Sequence, residues 1–226
     1  MKPLLTEVDA VLFDLDGTLV ETNIDFPLMK REMVALAVEA GMSPLDVQSL
    51  DILGIVRAAV DFVSDARGNA EAMRLRGKAM RILEDIEMRH AGKTTEIPFA
   101  RELVEMLRAR GVRLGIVTRN CRAACELSLR ITGIRIEALI CREDANSHKP
   151  HPEPVLLALE RLNARAGNSI MIGDHTMDIC SAKSAGTKTI GFLRPGRTDD
   201  FFDAVAPDLV ARDLREVLDA IIDSDS

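Results

Sequence analysis

The stretch that decides the fold runs from Val11 to Leu19 and reads VLFDLDGTL. Three apolar residues lead into two aspartates, Asp14 and Asp16, and a glycine follows, which predicts a buried strand that ends in a polar turn. Side chains two positions apart on a strand lie on the same side, so the two carboxylates are expected close together. Two like charges at that distance are costly unless a cation or a shared proton offsets them. The stretch therefore predicts a metal site, an acid/base pair, or both.

Composition and charge narrow the class of protein. The chain has 226 residues, 47% of them hydrophobic, which suffices for one large domain or one domain with a smaller insert. Its net charge of −7 disfavours nucleic acid and anionic membranes as partners, because both attract basic surfaces. No stretch approaches the roughly 20 apolar residues that a membrane span needs. The cysteines show no zinc-binding spacing, so we expect free thiols in a reducing cytoplasm; they are Cys121, Cys125, Cys141 and Cys180.

Short apolar strands alternate with helix-period segments over most of the chain. This alternation predicts an α/β fold with βαβ units and a mainly parallel, Rossmann-like sheet covered by helices on both faces. The predicted strands are 10–14, 113–118, 137–141, 169–174, 188–193 and 209–210. The helices predicted between them are 100–110, 123–131, 153–164, 177–185 and 214–222.

The segment between residues 22 and 95 interrupts this alternation. It contains three helix-period stretches, at 26–40, 44–62 and 66–90, and it shows no convincing strand pattern. We therefore predict a discontinuous α/β core made of residues 1–21 and 96–226. The predicted helical insert, a candidate cap domain, spans residues 22–95.

Four polar clusters follow predicted strands or precede the next predicted helix. In an open parallel sheet, ligands bind beyond the carboxyl ends of the strands at a topological switch point, so all four clusters are expected in one crevice. The clusters are Asp14 with Asp16; Thr118, Arg119 and Asn120; Lys149; and Gly173 and Asp174 with Asp178.

These side chains suit phosphoryl chemistry. One or two carboxylates can hold a hard divalent cation such as Mg²⁺, and Lys149 would offset the remaining negative charge. The Thr118 hydroxyl and backbone N–H groups can hold phosphate oxygens. One carboxylate can attack phosphorus, while a second protonates the leaving oxygen and later activates water.

In order and spacing, the four motifs resemble those of the haloacid dehalogenase superfamily. The resemblance covers essentially the whole chain and is closest to members with a helical cap between the first and second motifs. It implies a Mg²⁺-dependent phosphatase that hydrolyses a small phosphorylated metabolite, phosphoglycolate being the first guess, through an aspartyl-phosphate. A phosphosugar mutase of the β-phosphoglucomutase type and a non-catalytic binding protein on the same fold are the alternatives. Monomer and homodimer stay equally open.

The resemblance also implies roles for the acidic residues and for the glycines beside them. Asp14 would be the nucleophile and a Mg²⁺ ligand. Asp16 would be the general acid/base and would lend its backbone carbonyl to the metal, and Asp174 would be the third protein ligand. Gly17 would let the chain turn sharply after the first strand, and Gly173 would precede the metal ligand in the fourth motif.

The remaining motif residues are implied to bind or orient the phosphoryl group. Thr118 and Lys149 would contact it, with Arg119 and Asn120 next to it, and Asp178 would orient Lys149 or a metal-bound water. Two departures stand out from this pattern. Many relatives have Asp-Ser where this chain has Glu21-Thr22, and His175 is an unusual neighbour of the fourth motif whose role the sequence leaves open.

Overall fold

Parallel pairing of short apolar strands builds the larger part of the fold. The computed structural model describes residues 4, 5 and 7–221. The strands are β1 Ala10–Phe13, β2 Val20–Glu21, β3 Thr95–Glu96, β4 Arg113–Val117, β5 Ala138–Ile140, β6 Ser169–Gly173, β7 Lys188–Phe192 and β8 Leu209–Ala211. Six of them form one sheet in the order β5-β4-β1-β6-β7-β8, and every neighbouring pair in it is parallel. The predicted α/β fold class is therefore confirmed.

Helices cover both faces of this sheet. The helices of eight residues or more in this part are α5 Ala100–Ala109, α6 Arg122–Thr132, α7 Glu153–Leu162, α8 Thr176–Ala185 and α9 Leu214–Ile221. Alternation along β1 sends Val11 and Phe13 into one hydrophobic cluster and Leu12 into the cluster on the other face. Every β1 residue is fully buried, because the strand lies in the middle of the sheet. Residue 222, the predicted end of the last helix, lies outside the described residues.

A helical unit occupies the segment between β2 and β3. The chain divides into two compact units, one made of Met1–Thr22 with Gly92–Ser226 and the other of Asn23–Ala91. The second unit has its own hydrophobic core, to which Met33, Ile55 and Leu83 contribute. Its helices are α1 Phe26–Glu39, α2 Pro44–Val47, α3 Ile52–Arg67 and α4 Asn69–Ala91.

The prediction of a single helix for residues 44–62 is wrong. The chain forms two helices here, because Asp51 caps a new one: its carboxylate accepts a hydrogen bond from the N–H of Gly54 at 2.9 Å. That second helix continues to Arg67, past its predicted end, and stops at Gly68, whose φ of +86° is left-handed. The last helix of the unit accordingly begins at Asn69 instead of Ala66.

A two-stranded ribbon was not predicted. Val20–Glu21 pairs antiparallel with Thr95–Glu96, so the two chain segments that enter and leave the helical unit lie side by side. Two residues per strand are too few to show an alternating pattern in the sequence. Among the described residues, no helix has both the length and the apolar character required to cross a bilayer.

Candidate active site

The order of the central strands brings three of the polar clusters together. β1 lies between β4 and β6, and Asp14, Thr118 and Asp174 each follow the carboxyl end of one of these strands. The backbone N–H of Asp14 donates to the carbonyl of Ile172 at 2.8 Å, which continues the β1–β6 ladder by one bond beyond the strand. The cluster therefore forms at the topological switch point, where open α/β sheets bind ligands.

Lys149 is a buried cation that joins two of the aspartates. Its side chain is 4% exposed, and its Nζ lies 2.6 Å from Asp14 Oδ1 and 2.6 Å from Asp178 Oδ1. It also donates to the carbonyl oxygen of Val117 at 2.8 Å, so these contacts match the three donors of an ammonium group. Burial opposes the charged form, but the charges of Asp14 and Asp178 outweigh burial and raise the pKa of Lys149 above its usual value.

The carboxylates around Lys149 form a cluster that fits a divalent cation. Oxygen atoms of Asp14, Asp174 and Asp178 lie within 4.8 Å of one another. Burial, together with repulsion from neighbouring carboxylates, raises the pKa of Asp14 and of Asp174, although Lys149 opposes the shift. A cation at these oxygens would remove the cost of holding the negative charges together, and an all-oxygen ligand set suits Mg²⁺.

Two of the three side chains are the better candidates to hold the ion. Asp178 accepts from Lys149 with one oxygen and from the backbone N–H of His175 with the other, at 3.0 Å. Asp14 and Asp174 are thus the side chains that would hold Mg²⁺, with Asp178 fastening Lys149. The role of Asp178 in orienting Lys149 stays a prediction, and the 2.6 Å contact supports it.

Asp16 lies in the turn that follows β1, two residues after Asp14, but its contacts differ from those of Asp14. Its Oδ1 accepts from the N–H of Thr22 at 3.0 Å and from the Thr22 hydroxyl at 2.6 Å. Burial raises the pKa of Asp16, because it outweighs the two hydrogen bonds from Thr22, and together with the charges of Asp14 and Glu21 it brings the pKa to about 6. A carboxyl group with that pKa is present in both protonation states near neutral pH, as a general acid/base requires.

The second motif is held in place by a residue that the sequence analysis missed. Thr118 and Asn120 are buried, and the Thr118 hydroxyl accepts from the N–H of Asn120 at 3.2 Å. Arg142, which is also buried, donates from its guanidinium to the carbonyl of Arg119 at 3.2 Å and from its backbone to that of Asn120 at 3.1 Å. An arginine two residues after β5, the neighbour of β4, was the available signal.

Two glycines are required by close approaches within the site. A Cβ on Gly17 would lie 2.2 Å from Asp174 Oδ2, and the φ of Gly17 is +91°. A Cβ on Gly173 would lie 2.4 Å from the Cβ of Asp178. Both distances are far below van der Waals contact, so a side chain at either position would displace an aspartate of the cluster.

His175 caps the helix that carries Asp178. Its Nδ1 accepts from the N–H of Met177 at 3.2 Å, and the Asp178 carboxylate completes a capping box on the same turn. The ring packs edge-on against Phe201 with centroids 6.2 Å apart. Burial, followed by the positive charges of Arg119 and Lys149, lowers the pKa of His175, which favours the neutral ring that capping requires.

Comparison with known proteins identifies the class. A family model described as haloacid dehalogenase-like hydrolase matches residues 11–192. The pyrophosphatase PpaX of Bacillus velezensis is 30% identical over 219 residues, which cover 93% of this chain and 95% of that protein. The chain therefore belongs to the haloacid dehalogenase-like hydrolases, and the predicted superfamily is confirmed.

Solved structures agree with that assignment. A phosphatase of the same superfamily from Thermococcus onnurineus has a TM-score of 0.60 and 27% identity, covering 93% of this chain and 96% of that one. A predicted phosphoglycolate phosphatase from Haemophilus somnus has a TM-score of 0.60 at 21% identity, covering 95% and 98%, and shows the likeness of fold alone. The chain is thus a hydrolase, and the expected phosphoric monoester hydrolase agrees with the phosphatases among its relatives.

Proposed function

We propose that this chain is a Mg²⁺-dependent phosphatase that acts on a small phosphorylated compound through a phosphoryl group carried on Asp14. The observation that carries the proposal is the buried Lys149 ammonium 2.6 Å from the Asp14 carboxylate, at the switch point of the sheet. Lys149 and Thr118 would hold the oxygens of the phosphoryl group against Asp14. When bound by Asp14, Asp174 and the Asp16 carbonyl, Mg²⁺ supplies positive charge against the phosphate.

The residues of this chain account for both halves of the reaction. A carboxylate oxygen of Asp14 attacks phosphorus, the bond to the leaving oxygen breaks, and Asp16 in its acid form gives that oxygen a proton. Asp16, now a carboxylate, then takes a proton from water as the water oxygen attacks the same phosphorus. The acyl phosphate bond breaks, so that Asp14 is regenerated and phosphate leaves.

The nature of the leaving group is proposed from the relatives. Pyrophosphatases are among the relatives, which makes pyrophosphate the first compound to test, and phosphoglycolate follows from the resemblance of the motifs. Both are small and carry a second anionic group beside the phosphoryl group that is transferred. We propose a substrate of this kind.

The helical unit and the setting of the enzyme are also part of the proposal. We propose that the unit at Asn23–Ala91 serves as the cap, which in a hydrolase of this type would exclude bulk water during the transfer. Among the residues that the structure describes, the four cysteines form no disulfide bond with one another, which supports a reducing cytoplasm as the location. Nucleic acid is not proposed as a partner, because the net charge is negative.

The test is phosphate release from pyrophosphate, phosphoglycolate and a panel of sugar phosphates, with Mg²⁺ and with EDTA. We expect turnover that needs Mg²⁺ and that Asp14→Asn abolishes. Asp208→Asn is the matched control, because Asp208 also pairs with a lysine, at 2.7 Å, but lies outside the site. Conversion of a sugar phosphate that a sugar bisphosphate activates would identify a mutase instead. No turnover of any compound by the wild type would contradict the proposal. It would favour the alternative of a non-catalytic binding protein on the same fold.

A further inference from the structure

The residue that departs from the first motif makes an ion pair with a distant arginine. Glu21, on β2, contacts a guanidinium nitrogen of Arg194, in the loop that follows β7. The two side chains are 28% and 30% exposed, so the pair is partly shielded from water. They are 173 positions apart in the chain, and the fold alone brings them together.

The other end of the same guanidinium faces the cluster that fits the metal. Its second terminal nitrogen lies 4.0 Å from Asp174 Oδ2, too far for a hydrogen bond but within range of strong attraction. Gly17 leaves this space open, because a Cβ there would lie 3.0 Å from Arg194 and 2.2 Å from the same Asp174 oxygen. Arg194 is therefore shared between one carboxylate that holds it and another that it approaches.

We propose that Glu21 is a positioning residue that holds Arg194 back from Asp174, so that this carboxylate stays available to Mg²⁺. The inference rests on the proposed function, since Asp174 is the ligand it protects. A guanidinium carries five N–H donors and pairs readily with carboxylates, so Arg194 competes with Mg²⁺ for Asp174. A movement of about 1 Å would turn the 4.0 Å approach into a hydrogen bond.

Magnesium binding to the purified protein, measured by calorimetry, tests this inference without relying on turnover. In Glu21→Gln the arginine loses its partner and shifts to Asp174, so we expect Mg²⁺ to bind about tenfold more weakly, as for other residues behind a metal ligand. The double variant Glu21→Gln/Arg194→Gln lacks the competitor and should bind Mg²⁺ like the wild type. At saturating Mg²⁺, the kcat of Glu21→Gln should return to the wild-type value.

Glu96→Gln is the matched control for the loss of one negative charge. Glu96 lies on β3 in the same ribbon, where it pairs in register with Val20 and forms an ion pair with Arg101. Its removal should leave Mg²⁺ affinity unchanged, within about twofold. Circular dichroism and thermal unfolding of each variant show whether a change in affinity comes from a change in folding.

A crystal structure of metal-free Glu21→Gln shows whether Arg194 has moved toward Asp174 or whether only the charge of Glu21 has been lost. We expect the Arg194 nitrogen within about 3 Å of Asp174 Oδ2. An arginine that stays at its present distance, or a double variant as weak as Glu21→Gln, would overturn the inference while leaving the proposed function intact. Failure of the wild type to bind Mg²⁺ would overturn both.

Discussion

Lys149 is a cation held between two buried aspartates, with its Nζ 2.6 Å from a carboxylate oxygen of each. Asp14 and Asp178 are 8% and 1% exposed, so little water is available to either carboxylate. Without the ammonium, the carboxylates of the cluster would repel one another with no cation between them. That repulsion would lower the free energy of unfolding. Lys149 therefore contributes to stability as well as to the site.

Replacement of Lys149 by methionine tests that contribution. We expect Lys149→Met to lower the free energy of unfolding by about 3 kcal/mol, because it removes one partner of a buried ion pair. The control is Lys188→Met. Lys188 lies 2.7 Å from Asp208 but is 43% exposed. Its replacement should therefore lower the free energy of unfolding by less than about 1 kcal/mol. Urea unfolding of both variants measures the difference. Equal losses would contradict the argument.

Asp174 is the residue whose replacement separates the metal site from the fold. In EDTA, Asp174→Asn should unfold at a temperature no lower than the wild type, because burial and the nearby charges of Asp14 and Asp178 disfavour the ionised form of this carboxyl group, and the amide carries no charge. Mg²⁺ at a hundred times its Kd should raise the wild-type Tm by about 5–10 °C, and this shift should vanish in the variant. Thermal unfolding with and without Mg²⁺ measures both effects. A full shift in Asp174→Asn would show that the ion binds elsewhere.

At the scale of an element, the turn after β1 is defined by close packing as much as by its hydrogen bonds. Gly17 donates its N–H to the carbonyl of Val20 at 2.7 Å, which closes the turn. The same glycine leaves room for Asp174 and Arg194, which approach from β6 and from the loop after β7. The turn thus joins the ribbon to the carboxyl end of the sheet.

Gly17→Ala and Gly111→Ala separate backbone strain from the close approach. Both glycines have a left-handed φ, at +91° and +77°, so each substitution should cost about 1–2 kcal/mol of stability. A Cβ at residue 111 meets nothing within 4 Å, whereas one at residue 17 displaces the Asp174 carboxylate. We expect only Gly17→Ala to lose activity, by about a hundredfold in kcat. Phosphate release and urea unfolding measure the two effects, and equal activities would exclude the packing argument.

At the scale of the whole molecule, ion pairs fasten segments that are far apart in the chain. Arg165, at the start of the turn before β6, binds Asp9, the residue before β1, at 2.8 Å. Hydrogen bonds from the side chain and backbone of Arg165 lower the pKa of Asp9 to about 2. A carboxylate with a lowered pKa in the folded state stabilises the fold above its unfolded pKa of about 4, and this stabilisation is lost as the pH falls through about 2.

The resulting pH dependence has a defined sign. Asp9→Asn should be less stable than the wild type at pH 7, and the difference should shrink below pH 4 and disappear near pH 2. The effect should also fall with added salt, since Arg165 is 69% exposed. Urea unfolding across this range measures it, with Asp61→Asn, an exposed aspartate on α3, as the control. A difference in stability between Asp9→Asn and the wild type that persists unchanged to the lowest pH would show that it does not come from the charge of Asp9.

Local sequence patterns were sufficient to predict a helix or strand wherever its own residues determine its structure. The strands before Asp14, Thr118 and Asp174 could be predicted because each is a short apolar run that ends in a polar residue. The break at residues 48–51 could not, because apolar residues at helical spacing continue through it and only the Asp51 cap divides them. The domain boundaries and the roles of the site residues stay predictions.

The sequence by itself determined the superfamily, the α/β alternation and the kinds of side chain at the site, because these depend on motifs and periods within short stretches. Only the tertiary structure decided which groups meet: Lys149 with Asp14 across 135 positions, and Arg194 with Glu21 across 173. Nothing local records such pairings, since they follow from strand order and from loops that converge at one edge of the sheet. The availability of Asp174 to a metal is therefore a property of the folded chain, because it depends on where a distant arginine is held.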